Sequence, residues 1–183
     1  MKRLKASTRR TSSTRPRNTQ NSHANRGMTF ERLIENACEI YQIKKLAIIQ
    51  KLPTDWKIIR KGAQITGAFP NKKSTVDFMG VLNPGMAIAF EAKETKAKSF
   101  PFKNIHEHQI EYLKSVRKMG GHAFVLINFV TVDQIYKIDI KTFLELYEGA
   151  VQSGRKSIAL KDIEEKAEKI PTLSGIPDFL NAL

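Results

Sequence analysis

Two acids and a lysine carry the chemical content of this chain. Asp77 lies in Ser74-Thr75-Val76-Asp77-Phe78, and fourteen residues later Glu91 opens Glu91-Ala92-Lys93. Between them, Asn83-Pro84-Gly85 is a turn signal. The flanking runs, Val76 to Val81 and Met86 to Ala92, read as strands. Folded as an antiparallel hairpin about Pro84, they set Asp77 opposite Glu91. Directly opposed residues share a face, as do residues two apart on a strand, so Thr75, Asp77, Glu91 and Lys93 crowd one side. The carboxylates offer hard oxygen ligands to a divalent cation such as Mg²⁺. A lysine beside them can orient an attacking water or neutralise charge developing on phosphorus. The chemistry these residues fit is metal-assisted phosphodiester hydrolysis, with the Ala92 carbonyl as an extra ligand.

A Glu-x-Lys pair on a strand is common at solvated surfaces, so it carries little weight alone. Here the strand leading into it, Met86-Ala87-Ile88-Ala89-Phe90, is almost wholly apolar and reads as buried on both faces. Charges at the end of such a strand are costly unless satisfied. Gln109, one helical turn after His106, either reaches the metal as a neutral ligand or lies on a solvated polar face. His106 and His108, at i and i+2, point apart on a helix and make no zinc site by themselves. Glu31 and Glu35, at i and i+4, form a carboxylate stripe that is either solvated or approaches a metal from outside its ligands. Phe69, an aromatic in a basic stretch, either packs against protein or stacks on bases.

The elements that must position these groups follow from periodicity. Phe30, Leu33, Ile34, Ala37, Cys38 and Tyr41 recur at helical spacing, predicting an amphipathic helix over 28–43 with Thr29 as its cap. Leu46 to Gln50 and Trp56 to Ile59 read as strands. Residues 60–74 carry Arg60, Lys61, Lys72 and Lys73 around two glycines and Pro70, and predict a projecting basic loop or ribbon. Glu94 to Asn104 reads as a polar, lysine-bearing loop. A helix is expected over Ile105 to Met119, ended by Gly120-Gly121. Strands over His122 to Val130 and Gln134 to Ile140 follow, then a helix over Thr142 to Val151 and a short charged helix over 160–169. The tail from Pro171 is irregular and then apolar. This order predicts an α/β or α+β sandwich with a mixed central sheet.

Bulk composition narrows the partners. The chain has 183 residues and a formal charge of +13, enough for one domain with tails. Residues 1–27 hold eight Lys or Arg and no acid, with no hydrophobic periodicity, and predict a disordered basic arm before a domain spanning 28–183. A basic body with a basic arm points to a polyanion, most commonly nucleic acid. A membrane surface fits poorly, because the arm has almost nothing apolar to insert. One cysteine, Cys38, excludes a disulfide framework and a cysteine-based zinc site, and its place on the apolar helix face predicts a buried small hydrophobe. No apolar run approaches the ~20 residues of a membrane span, and the basic N-terminus lacks the apolar core of a secretory signal, so a cytoplasmic protein is expected.

Several strings resemble RecU, the bacterial Holliday-junction resolvase family. They are Asn25 to Thr29, Ser74 to Phe78, Phe90-Glu91-Ala92-Lys93-Glu94-Thr95-Lys96, Ser99-Phe100-Pro101, Asn104 to Gln109 and Gly154 to Ile158. The resemblance implies a restriction-endonuclease-like core with a projecting basic stalk. It implies a homodimer that cuts opposing strands of four-way DNA junctions in recombination and repair, using Mg²⁺ or Mn²⁺ and leaving 5′-phosphates. By position, Thr75, Asp77, Glu91 and Gln109 fall where the family binds metal, and Lys93 where it stabilises the transition state. Residues 60–74 correspond to the stalk, with Phe69 near its junction-contacting aromatic. Arg60, Lys61, Phe69, Lys72, Lys73, Lys96 and Lys98 are the candidate DNA contacts. The family is also associated with the strand-exchange recombinase as a partner. Val76 and Phe78 stand where the family has Thr and Tyr, and strand alternation should turn both away from the metal. Gly67-Ala68-Phe69-Pro70-Asn71 also departs from the family's stalk. The competing readings are a non-catalytic nucleic-acid-binding recombination factor and a nuclease for other branched DNA. A binding module has no need of three costly polar groups in register.

Overall fold

A computed structural model describes residues 29–53, 56–70 and 75–181, with the side chains of all but 56, 57, 69 and 70. The chain opens on helix α1 (Phe30–Ile43), capped by Thr29, whose Oγ1 accepts from Arg32 N at 3.3 Å. Its buried stripe is Phe30, Ile34, Ala37, Cys38 and Tyr41, the helical spacing read from the sequence. Strand β1 (Ala47–Lys51) follows, then a separate hairpin of β2 (Trp56–Lys61) and β3 (Gln64–Pro70), then β4 (Phe78–Leu82) and β5 (Met86–Thr95). A short β6 (Ser99–Pro101) and a 3₁₀ turn lead to α2 (Glu107–Lys118). The chain continues through β7 (His122–Phe129), β8 (Gln134–Asp139), α3 (Ile140–Gln152), β9 (Ser157–Ala159) and α4 (Leu160–Lys166). It ends with β10 (Glu168–Ile170) and a small hairpin of β11 (Thr172–Leu173) and β12 (Ile176–Pro177).

The central sheet has the order β1-β4-β5-β7-β8-β10 and is antiparallel except where β5 runs parallel to β7. A parallel pair needs a crossover, and α2 provides it. The architecture is therefore mixed α/β, a mixed sheet between helices. On one face, α2, α3 and α4 pack over Ala89, Val125, Ile127, Tyr136 and Ile138. On the other, α1 and the tail residue Phe179 pack over Phe78, Phe90, Phe124 and Leu126. Three of these phenyl rings, register neighbours on β4, β5 and β7, stack in a row at 5.0 and 4.8 Å between centroids. Tyr41 ties the tail down, its hydroxyl lying 2.9 Å from Asp178 Oδ1. Cys38 is buried, as expected, and burial pushes its thiol up to about 12.

Some elements depart from the reading of the sequence. The supposed loop from Glu94 contains the end of β5 and the whole of β6, which pairs with β9. The charged helix over 160–169 stops at Lys166, and β10 completes the sheet edge. Both β6 and β9 are three residues long, too short for alternation to be visible. Of the basic stretch expected over 60–74, the described part, 60–70, belongs to a two-stranded ribbon whose first strand starts earlier, at Trp56; residues 71–74 lie outside the described residues. Phe78 points to the α1 face, as strand alternation requires. Val76 does not follow the expected alternation and is buried in the α2-face core, because β4 begins only at Phe78 and the backbone before it is not strand.

Candidate active site

The hairpin register read from the sequence is the register found. Phe78 pairs with Phe90 and Leu82 with Met86, and one step further Asp77 stands beside Glu91. Leu52 N donates to Asp77 O at 2.8 Å, continuing the β1 ladder past the end of β4 and fixing the Asp77 backbone. The Asp77 side chain is fixed separately: the Ala92 amide donates to its Oδ2 at 3.1 Å, and Lys93 Nζ donates to the same oxygen at 2.9 Å. Lys93 Nζ also lies 2.6 Å from Glu91 Oε2. Of the four side chains predicted to share this face, Asp77, Glu91 and Lys93 are in mutual contact. Thr75 is exposed, two residues before Asp77.

Exposure differs sharply within the cluster. The side chains of Asp77 and Lys93 are 20% and 19% exposed, whereas Glu91 is fully buried. Neither carboxylate oxygen of Glu91 has a hydrogen-bond partner, so its approach to Lys93 is a contact of opposite charges and not an aligned hydrogen bond. Burial, with a further contribution from the adjacent Asp77 carboxyl, pushes Glu91 up to about 8. Burial also acts upward on Asp77, but contact with Glu91, the Lys93 charge and the Ala92 amide outweigh it and hold Asp77 below the usual carboxylate range. For Lys93, burial acts downward and the two carboxylates outweigh it, so the ammonium is more firmly charged than usual.

A fully buried carboxylate that is paired with a lysine but has no aligned hydrogen bond calls for an explanation. A divalent cation supplies one, since Asp77 and Glu91 present hard oxygen donors and Asp77 keeps one edge open to solvent. Among the described residues no cluster of three or more His, Cys, Asp or Glu is present, and the carboxylates that meet here are Asp77 and Glu91. That fits Mg²⁺, which keeps several waters and binds through one or two carboxylates.

The remaining candidates are placed unevenly. Gln109 is buried in the first turn of α2, and its Oε1 accepts from the His106 amide at 2.9 Å, a helix-capping contact that the sequence reading did not include. The pattern that would have shown it is a polar residue followed three later by Gln at a helix start. His106 and His108 do not point apart: His106 precedes the helix, and the rings stack with centroids 5.5 Å apart. Glu31 and Glu35 both contact Lys51, at 2.5 and 3.5 Å, on the α1 face, and the Arg32 hydrogen bond and Lys51 charge lower Glu35 despite its partial burial. Arg60 and Lys61 are exposed at the end of β2, beside the turn at Gly62. Lys96 and Lys98 are exposed in the turn after β5, which Thr95 shapes by accepting from Ala97 N at 3.1 Å and donating to Ser99 O at 3.3 Å. The Phe69 side chain and all of Lys72 and Lys73 lie outside the described residues.

Comparison with known proteins shows the family of the chain. Residues 25–183 match the family Recombination protein U, RecU. A Holliday junction resolvase RecU from Geobacillus sp. (strain WCH70) is 40% identical over 152 residues, covering 79% of this chain and 75% of that protein. One from Shouchella clausii (strain KSM-K16) is 38% identical over 170 residues, covering 88% and 81%. Among solved structures, Archaeoglobus fulgidus Hjc, a Holliday junction resolvase, is 17% identical with a TM-score of 0.39 over 61% of this chain and 75% of that one. The family match spans most of the chain and both relatives exceed 30% identity, so this chain belongs to the RecU family.

Proposed function

We propose that this protein is a structure-selective endonuclease that resolves four-way DNA junctions by divalent-metal-dependent phosphodiester hydrolysis on a restriction-endonuclease-like core. The observation that carries the reading is Glu91: a fully buried carboxylate without a hydrogen-bond partner, in contact with a lysine and beside a second carboxylate. Such a cluster is costly to fold and has no purpose in a simple binding module. Its relatives are named Holliday junction resolvases, which supplies the substrate class.

Asp77 and Glu91 would hold the metal, Mg²⁺ or Mn²⁺. Thr75 and the Ala92 carbonyl would be the further ligands, the carbonyl because it leaves the strand on the same edge as the amide that binds Asp77. Gln109 would join only by sharing or releasing the His106 amide. When bound, the cation lowers the pKa of a water and polarises the scissile phosphate. The chain's own residues do the rest. The Ala92 amide fixes the rotamer of Asp77, burial leaves Glu91 few alternative positions, and Lys93 places a firmly charged ammonium at the rim to orient the nucleophile or neutralise charge on phosphorus. Arg60, Lys61, Lys96 and Lys98 would contact DNA phosphates, and cleavage would leave 5′-phosphates. Because a junction needs two symmetry-related nicks, the active unit would be a C₂ homodimer.

The test is cleavage of an end-labelled four-way junction beside a linear duplex, in Mg²⁺, Mn²⁺ and EDTA, with Asp77→Asn as control. Paired nicks on the junction alone, lost in EDTA and in the variant, are expected. Tight junction binding with no nick in either metal would overturn the enzymatic reading.

A further inference from the structure

We propose that His106 and His108 form a stacking platform for a nucleobase beside the phosphate that is cut. Their place follows from the lie of α2 against the sheet. The Tyr112 hydroxyl is 3.8 Å from Met79 Sδ. Just beyond the end of the helix, a Cβ on Gly121 would lie 3.1 Å from the carbonyl oxygen of Ala87, the partner of Val81. So α2 runs alongside β4 in the same direction. His108 is one turn before Tyr112 on the same side of the helix, about 6 Å nearer its start. Asp77 precedes Met79 by two residues, about 6.6 Å in extended chain. His108 is therefore level with Asp77. It also lies on the face that carries Glu91 and Lys93, since Phe90 and Ala92 turn to the α1 side. His106 extends the platform outward: the two rings are 5.5 Å apart between centroids and only 13° from parallel. His108 is half-buried and His106 exposed, so the stack opens to solvent at its outer ring. Buried Gln109 accepts from the His106 amide at 2.9 Å and so fixes the backbone that carries this ring.

The chemistry of the platform selects its occupant. Two imidazoles do not make a metal centre, and among the described residues no third His, Cys, Asp or Glu joins them. DNA phosphates are better met by the lysines and arginines that the chain carries in excess. What an open aromatic face takes is the face of a base, a contact that every base can make and that strengthens with its stacking power. Inside a duplex that face is covered by the neighbouring pairs. At a branch point the continuous stack is interrupted, and taking a base out of it costs least where its pairing and stacking are already weakened. The platform would hold the nucleotide that flanks the scissile phosphate, and with it the phosphate, against the Asp77–Glu91–Lys93 cluster. It would also bias which step is cut towards those whose base stacks best. The inference takes its substrate from the nuclease reading and rests on it.

The test places 2-aminopurine on either side of the branch point of a four-way junction and reads its fluorescence with the full chain at saturation, in EDTA. A base stacked on the rings is quenched. At one of the two positions the unaltered complex should be dimmer by about twofold or more than that of His106→Ala/His108→Ala, and His106→Phe/His108→Phe should restore the dim state. Single-turnover cleavage in Mn²⁺ should fall about tenfold in the alanine variant and recover in the phenylalanine one. On a junction whose branch point can migrate, the alanine variant should also spread its cuts over more steps. Circular dichroism and Mn²⁺ titration check that fold and carboxylate site are kept. If the double variant unfolds, His106→Ala alone, at the exposed position, takes its place. Equal fluorescence of the unaltered and alanine complexes at both positions overturns the inference. So does a cleavage loss that His106→Gln/His108→Gln restores and phenylalanine does not, which would make the rings hydrogen-bonding groups. Failure of the nuclease reading would show differently, as junction binding with no cut by the unaltered protein, and the fluorescence would still decide the stacking.

Discussion

At the scale of single residues, the site is defined by one carboxylate that the fold makes uncomfortable. In the metal-free protein Glu91 titrates near 8, against an ordinary value of 4.5, chiefly because it is buried. Between those two pH values the folded chain keeps a proton that the unfolded chain has released, so metal-free stability falls as pH rises from about 4.5 towards about 8. Asp77 has the opposite sign, but its depressed value acts only at and below 3.8, outside that window. Thermal melts in EDTA should therefore show a downward slope across this range, amounting to a few kcal/mol at most. Glu91→Gln should flatten the slope, stabilise the protein at alkaline pH and abolish cleavage. A slope that survives in the variant would place the titrating group elsewhere. Mg²⁺ should stabilise the unaltered protein most at alkaline pH, where no proton competes for Glu91. Lys93→Ala separates binding from chemistry: Mn²⁺ should still bind, while single-turnover cleavage falls by roughly 10²–10³-fold. Equal loss of both would make Lys93 a folding residue.

At the scale of elements, the chain was legible wherever periodicity had room to develop. The α1 stripe, the β4–β5 register and the Asp77–Glu91–Lys93 meeting all follow from spacing that a reader can count, because burial on one face or both forces the pattern. What stayed hidden was set by tertiary contact. β6 and β9 are too short to show alternation and exist because each pairs with the other. Gln109 looked like a ligand or a solvated residue and is engaged in capping, because α2 begins at Glu107 and not at Ile105, which makes His106 its cap and Gln109 the third helical residue. Val76 turned inward because the strand starts two residues later than its composition suggests. Gly80 is the clearest tertiary demand. β1 crosses β4 so closely there that an added Cβ would lie 2.0 Å from Ile48 O and 2.7 Å from Ile49 Cα. Backbone cannot yield as a side-chain end would, so Gly80→Ala must shift β1, and with it the Leu52 contact that fixes Asp77. A loss of about 2–4 kcal/mol in urea unfolding is expected, with weaker Mn²⁺ binding. Gln109→Ala should cost about 1 kcal/mol even in EDTA, the usual worth of a helix-start contact.

At the scale of the whole molecule, charge and shape divide the labour. The formal charge of +13 ensures that the protein finds DNA of any kind, with affinity that falls as salt rises because bound phosphates release counterions. That attraction does not distinguish a junction from a duplex. Discrimination must come from a feature that only a branch point can accommodate, and the β2–β3 hairpin is the candidate: a two-stranded ribbon outside the central sheet, with Arg60 and Lys61 exposed beside its turn. A ribbon that enters the open centre of a four-way junction meets phosphates from several arms at once, whereas on a linear duplex it meets none or few. Arg60→Ala/Lys61→Ala should then weaken junction binding by about tenfold or more and reduce the slope of log affinity against log salt by about 2, one unit per lost phosphate contact, while duplex binding changes less than about twofold. The active site is untouched, so any nick that does form should still depend on Asp77 and metal. Equal losses on junction and duplex would instead place the hairpin along the arms, and selectivity would then have to arise elsewhere on the protein.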